Sequence, residues 1–287
     1  MFDTIIIGCG PAAMSASIYL KNANKKVLII EKNAPGGKIL KTEKINNYLG
    51  FNEEDASTLA YKMYDQTNKL GIPIKIEKVI DVKDSIDKKI VTTDKNKYEA
   101  KTILIACGRV EKPLGIENED KLNGHGVSYC VKCDASLYKD KIIAIVSNTI
   151  DDVLYLSDIA SKVIFINNSN EIFSIKRDNI EVINNEKIIK INQKDNVISS
   201  ITLSNNNEYN ISCLFIETGY TPNIDFIKSL NIETKNNYII TDDEMRTNIN
   251  GIYASGDIVY KKVYQIINAA SEGALAALSI IKYLNKE

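Results

Sequence analysis

The 287-residue chain has no tryptophan, one histidine (His125) and only five prolines. A single histidine leaves little to build a metal site from. The close pair Cys130 and Cys133 would need two further ligands to hold zinc, while Cys9, Cys107 and Cys213 stand alone. No metal is expected. No apolar run approaches the roughly 18 residues of a membrane span, and Met1-Phe2-Asp3 is too short and acidic an opening for a signal peptide. A cytoplasmic location with no membrane attachment is the expectation. The net charge of −1 lacks the basic excess of a nucleic-acid protein, although a local basic patch for an acidic partner stays open. Five cysteines, odd in number and irregular in spacing, do not make a secreted disulfide framework. The remaining possibility is an ordinary globular composition, long enough for two domains with a core each.

Within that frame the most telling stretch is Cys130-Val131-Lys132-Cys133-Asp134. A Cys-x-x-Cys pair beside an α/β pattern reads first as a redox dithiol, with a structural or regulatory disulfide and half of a metal site as the alternatives. Asp134 favours the first reading, because thiol–disulfide exchange needs a proton delivered or removed. His125, a loop residue close by, is a weaker candidate for the same task.

The amino terminus supplies a second kind of chemistry. Thr4-Ile5-Ile6-Ile7 is a continuous apolar run of the sort found in parallel strands buried on both faces. It leads into Gly8-Cys9-Gly10-Pro11-Ala12-Ala13 and an amphipathic helix to about Leu20. Gly8 allows the tight turn, Gly10 lets backbone approach a pyrophosphate, and Ala13 allows close helix packing, with the helix N-terminus as the anion site. A second strand, Lys26 to Ile30, ends in Glu31, about 20 residues on, where a carboxylate can meet ribose hydroxyls. Strand, glycines, helix, strand and acid in register predict a dinucleotide site. Gly36-Gly37-Lys38 and Ile45 to Phe51 read as loops, and a helix is expected from about Ser57 to Leu70, closed by Gly71. The apolar strand Lys101 to Ile105, running into Ala106-Cys107-Gly108, offers a second contact at the carboxyl edge of the sheet. Cys107 reads as a small buried hydrophobe.

The pattern then returns. Ile142 to Val146 is a fresh buried strand, Val153 to Ile159 a helix and Val163 to Ile166 a strand, so the nucleotide-binding fold looks duplicated. Its phosphate loop is absent. Ser147-Asn148-Thr149-Ile150-Asp151-Asp152 holds no glycine and brings two carboxylates to the place where phosphates would lie. Asn167-Asn168-Ser169-Asn170-Glu171 offers no cation for a ribose phosphate. The fold class expected is α/β, with two Rossmann-like, three-layer ββα-type domains. One is discontinuous, 1–112 with 220–287, and the other, 113–219, is reduced and inserted into it. Near the end, Ala254-Ser255-Gly256-Asp257 closes a strand, and a final helix is expected from Ala269 to about Leu284.

Together these motifs resemble the low-molecular-weight, flavin-containing thioredoxin reductases over essentially the whole chain. The likeness rests on the first glycine loop, Glu31, Gly36-Gly37, Asn46 to Phe51 and Ile105 to Gly108. It also rests on Gly126 to Asp134, Gly219 with Pro222-Asn223, and Ala254 to Asp257 with Gln265. The resemblance implies FAD as cofactor, held by Gly8, Gly10, Pro11, Ala12, Ala13, Glu31, Lys32, Gly37 and Lys38. Asn47, Val79, Ala106, Gly108, Gly256, Asp257, Gln265 and Ile266 complete that implied set. It further implies a homodimer acting on thioredoxin, with Cys133 facing the flavin, Cys130 the more exposed sulfur attacking thioredoxin, and Asp134 the proton donor. The lost phosphate loop resembles the ferredoxin-dependent branch, which makes ferredoxin the implied donor. Lys38, Lys41, Lys44, Lys261 and Lys262 are then candidate docking cations. Tyr264 stands where the family usually has an arginine.

Overall fold

The computed structural model describes residues 1–41, 45, 47–51 and 55–286; Lys44 and Asn46 fall outside that range, as does the side chain of Lys41. The chain divides into two compact units, Met1–Val110 with Pro222–Glu287, and Glu111–Thr221.

In the first unit, β1 (Phe2–Ile7) runs into α1 (Pro11–Asn22) and β2 (Val27–Glu31). Pro11 sits at the start of α1, where the missing N–H would have had no helical partner. Gly37 and Lys38, expected as loop, open a 3-10 turn over Gly37–Lys41, entered through left-handed Gly37 (φ +62°). Then come α2 (Ala56–Lys69), ended by left-handed Gly71, β3 (Ile74–Ile76), β4 (Val79–Asp84), β5 (Lys89–Thr93), β6 (Lys97–Ile105) and β7 (Arg109–Glu111). Between β3 and β4, the buried carboxylate of Glu77 accepts hydrogen bonds from Thr93, Asn96 and Tyr98.

The second unit contains β8 (Val127–Ser128), the short helix α3 (Val131–Asp134), β9 (Ile142–Ser147), α4 (Asp151–Ser157) and β10 (Lys162–Asn167). It continues with β11 (Ile180–Ile183), β12 (Ile188–Lys194), β13 (Val197–Leu203), β14 (Glu208–Asn210), β15 (Cys213–Glu217) and β16 (Tyr220–Pro222). Its parallel sheet has the order β11-β10-β9-β15-β8, and β12-β13-β14 form a separate antiparallel sheet. One face of the parallel sheet (Ala144, Val146, Ile164, Leu214) packs on Ile191, Ile201 and Leu203 of the antiparallel one. The other face (Ile143, Ile145, Phe165, Phe215) packs on Val153 and Leu156 of α4. This is the three-layer ββα arrangement. Each such buried Phe or Ile contributes about 1.5–3 kcal/mol relative to exposure. Because both faces of the sheet are covered, its strands read as unbroken apolar runs.

The returning chain adds β17 (Thr234–Lys235), β18 (Tyr238–Ile239), β19 (Ile252–Ala254) and α5 (Ile266–Leu284) to the first unit. Its sheet is seven-stranded, in the order β3-β2-β1-β6-β5-β4, with β19 pairing the far end of β6. Helix α5 starts at Ile266 and not at Ala269. Extended Gln265 acts as the N-cap, and the β-branched pair Ile266-Ile267 concealed the first turn. Helices α1 and α5 cross with almost no room. A Cβ on Gly273 would lie 2.9 Å and 3.0 Å from the backbone C and Cα of Ala12, and nearer still to its carbonyl oxygen. Ala13 is fully buried in the core behind α1, and Ala12, opposite Gly273, adds a second close approach. No described helix is long and apolar enough to cross a membrane.

Candidate active site

The first unit builds a cradle at the carboxyl edge of its parallel sheet. Gly8 (φ +104°) has no space for a side chain: a Cβ there would sit 2.5 Å from the carbonyl oxygen of Ala106 and 2.7 Å from Cα of Cys107. Gly10, the N-cap of α1, has extended backbone, and no atom lies within 4 Å of where its Cβ would be. One glycine is needed for the protein's own packing; the other leaves space open in front of the helix N-terminus. Gly37 packs on Gly10, its would-be Cβ 3.4 Å from Cα of Gly10. The carboxylate of Glu31, at the end of β2, accepts the N–H of Cys9 at 2.7 Å and of Asn33 at 3.0 Å. Beside it lies a cavity of about 300 Å³, lined in part by Gly8, Glu31, Lys32 and Val79.

Further along the same unit, the Asp257 carboxylate lies 3.7 Å from Lys38 Nζ and 3.3 Å from Arg109 Nη2. Asp257 follows left-handed Gly256, whose would-be Cβ is 3.0 Å from that of Ala12. Gly108 (φ +67°) hands the chain from buried Ala106 to Arg109. Asn47 Nδ2 donates to Gln265 Oε1 at 3.1 Å, and Ile266 opens α5 behind it. The structure thus joins Lys38 with Asp257 and Asn47 with Gln265, and groups Gly8, Glu31, Lys32 and Val79 around one cavity. Arg109 was missed in the sequence. Its guanidinium, largely buried, also donates to the Tyr238 hydroxyl at 3.4 Å and lies 4.0 Å from the ring centre of Tyr264. The only signal was a lone Arg directly after the glycine at a strand end. The open Gly10 turn, the carboxylate beside the cavity and the polar pairs fit a dinucleotide such as FAD.

The second unit carries the cysteine pair just past β8. Cys130 and Cys133 are disulfide-bonded, with Cα atoms 5.3 Å apart, and α3 occupies the turn that joins them. Left-handed Gly126 (φ +102°) precedes β8, and a Cβ there would run into the side chain of Ile198. Ser128, quoted in the motif but given no task, is the organising hydroxyl. It donates to Asp134 Oδ2 at 2.7 Å and accepts the N–H of Cys130 at 3.1 Å. The exposure order differs from expectation, since Cys133 is exposed and Cys130 half-buried. Cys130 is the N-cap of α3 and tied to Ser128, whereas Cys133 lies a turn later on the outer side. Burial pushes the Cys9, Cys107 and Cys213 thiols up to about 12, so none of the three supplies a thiolate near neutrality. His125 is exposed, and its backbone carbonyl accepts the N–H of Ile198. Among the described residues no three His, Cys, Asp or Glu side chains are grouped to hold a metal.

At the carboxyl edge of β9 and β10 this unit has no phosphate cradle. Asp151 and Asp152 occupy the first turn of α4. Asn168 donates to Asn148 at 3.0 Å, Asn148 donates to the Thr218 carbonyl, and Asn167 donates to Asn184 at 2.8 Å. Side-chain amides occupy this edge where glycine N–H groups would otherwise face a phosphate.

A dinucleotide cradle in one α/β unit and a cysteine disulfide in a second mark a flavoprotein disulfide oxidoreductase. The family model for pyridine nucleotide-disulphide oxidoreductases matches residues 2–149 and 157–273. The thioredoxin reductase of Bacillus subtilis is 30% identical over all of this chain and 96% of its own length. That of Mycoplasmopsis pulmonis is 33% identical over all of this chain and 98% of its own. The thioredoxin reductase of Lactococcus lactis superposes with TM-score 0.84 at 30% identity, covering both chains fully. A ferredoxin-flavin thioredoxin reductase of Clostridium acetobutylicum gives TM-score 0.60 at 35% identity, over 99% of this chain and 98% of its own. The chain belongs to the pyridine nucleotide-disulphide oxidoreductase family, among its thioredoxin reductases. Its cofactor is FAD, and its chemistry is that of an oxidoreductase acting on a disulfide.

Proposed function

We propose that the chain reduces thioredoxin with electrons taken from reduced ferredoxin, working as a homodimer in the cytoplasm. The observation that carries the choice of donor is the carboxyl edge of β9 and β10. A nicotinamide dinucleotide needs N–H groups and positive potential for its phosphates. Here that edge carries Asp151, Asp152 and a set of asparagines bonded to one another. A one-electron iron–sulfur donor needs no such pocket. The likeness to the Clostridium acetobutylicum protein supports the same reading.

The whole reaction consumes two reduced ferredoxins, one thioredoxin disulfide and two protons, and yields two oxidised ferredoxins and the thioredoxin dithiol. FAD, when bound, accepts single electrons and passes them on as a pair. In the first unit, Glu31 would hold ribose hydroxyls, the Gly8–Gly10 turn the pyrophosphate, and Asp257, Asn47 and Gln265 the flavin end. In the second unit, Cys133 is assigned to face the flavin, as its exposure allows. Cys130 is assigned to attack the thioredoxin disulfide. The mixed disulfide it forms is resolved by Cys133, and the Cys130–Cys133 bond is restored. Asp134, fixed by the Ser128 hydroxyl, moves the proton at the sulfur of Cys130.

The test is anaerobic bleaching of the flavin band near roughly 450 nm, with NADPH, NADH or reduced ferredoxin as donor. Bleaching by ferredoxin alone, followed by thioredoxin reduction, is the expected result. Rapid bleaching by NADPH would overturn the donor assignment. Bleaching without any thioredoxin turnover would make the dithiol a redox sensor.

A further inference from the structure

Of the lysines first considered for docking, Lys38 is engaged by Asp257 and Lys261 by Glu272. The structure draws attention instead to a file of aromatic rings in the first unit. Tyr260 is 43% exposed. Its ring centre lies 6.5 Å from that of Tyr238, and Tyr238 lies 5.6 Å from Tyr264. Tyr264 in turn carries the Arg109 guanidinium at 4.0 Å, and Arg109 reaches Asp257 at 3.3 Å. The file therefore runs in unbroken contact from the surface to the carboxylate assigned to the flavin end. At its outer end Lys235 Nζ lies 4.6 Å over the Tyr260 ring. Lys262 and Val263 are exposed in the next three residues of chain. Asp257 and Glu272, the carboxylates bonded within this cluster, are each held by a cation, and Lys235, the Tyr260 ring, Lys262 and Val263 are exposed at its outer end.

We infer that the face formed by Lys235, Tyr260, Lys262 and Val263 docks an acidic one-electron iron–sulfur carrier, with the rings of Tyr238 and Tyr264 packed between that carrier and the flavin. The inference rests on the donor reading above and names the surface that serves it. The charges are complementary: exposed lysines steer an acidic partner, and a half-exposed ring and a valine give it an apolar seat. Each docking event oxidises one reduced cluster by one electron and delivers that electron to the flavin. The tyrosines do not change oxidation state; they are the dense medium that replaces water along the path. Two dockings supply the pair that opens one disulfide.

The experiment is stopped-flow bleaching of the FAD-loaded protein by reduced ferredoxin, comparing wild type with the Lys235→Glu/Lys262→Glu double variant, Tyr260→Ala and Tyr260→Phe. The double variant is expected to lose roughly tenfold or more in second-order rate at low ionic strength, the deficit shrinking as salt rises. Tyr260→Ala should be slow at all salts, Tyr260→Phe near wild type, and bleaching by dithionite the same in every protein. Wild type that ferredoxin does not bleach overturns the donor reading itself. Wild type bleached normally, with the double variant equally fast at low salt, overturns this surface alone. A shift from dimer to monomer in the variants would also overturn it, by making the face a contact between copies.

Discussion

Two glycines about the first helix should fail in opposite ways when replaced by alanine. In Gly273→Ala, the added methyl meets the backbone of Ala12, which cannot rotate aside, at distances where real Cβ atoms are essentially never found. Overpacking of this kind costs about 1–3 kcal/mol, and the gain of helix propensity from Gly to Ala returns at most about 1 kcal/mol. With an unyielding neighbour the upper end applies, for a net loss of about 2 kcal/mol. In a domain of this size that lowers the melting temperature by roughly 4–8 °C. In Gly10→Ala, the methyl meets nothing within 4 Å and the backbone is already extended, so the apoprotein should melt as wild type does. The methyl instead projects into the open space that the proposed function assigns to the pyrophosphate, and on that assignment FAD affinity should fall roughly tenfold or more, about 1.4 kcal/mol or above. Scanning fluorimetry on stripped protein, with flavin titration followed by fluorescence quenching, separates the two. A Gly273→Ala protein that melts with wild type, or a Gly10→Ala protein that binds FAD undiminished, would refute the division of labour between these glycines.

Cys133→Ser should keep FAD bound, with an unchanged flavin spectrum, yet reduce no thioredoxin; full turnover would remove the dithiol mechanism. Glu77 sets an acid limit on the first unit. Burial alone would raise its pKa, but hydrogen bonds from Thr93, Tyr98 and Asn96 and the charge of Lys95 outweigh it and hold the carboxyl below its usual 4.5. A depressed folded-state pKa contributes stability above the unfolded value that is lost as pH falls through the folded one. Unfolding free energy should therefore decline below pH 4.5 and decline less steeply in Glu77→Gln, as urea titrations at stepped pH would read; parallel slopes in the two proteins would contradict this.

Much of the fold was legible because buried parallel strands announce themselves. Ile5 to Ile7 and Ile143 to Val146 are apolar without alternation, since both of their faces are covered. The glycine loop and Glu31 could be read together because a short stretch of chain fixes their register. What escaped was long-range or local in ways that periodicity does not record. Arg109 gains its meaning from Asp257 and Tyr264, each far away in sequence, and no pattern about Arg109 itself points to them. The start of α5 was hidden by two isoleucines that read equally well as strand. Ser128 was passed over because its task, bridging Cys130 and Asp134, appears only once the chain turns back on itself at α3.

The asparagine contacts along β9 and β10 also bear on how this protein could be altered. An empty crevice can regain a ligand by single steps, each leaving a working intermediate. An edge held by its own side chains resists this at Asn167, which is buried and whose amide donates to Asn184, whereas the exposed Asn148–Asn168 pair can give way to water. On the ferredoxin reading, grafting glycines into Ser147 to Ile150 alone would leave Asp151, Asp152 and the Asn167–Asn184 contact in place. A redesign would have to replace Asn148, Asn167 and Asn168 together with Asp151 and Asp152, and rebuild the helix entry at the same time. On that reading, a nucleotide donor is reached only through several coordinated replacements at this edge.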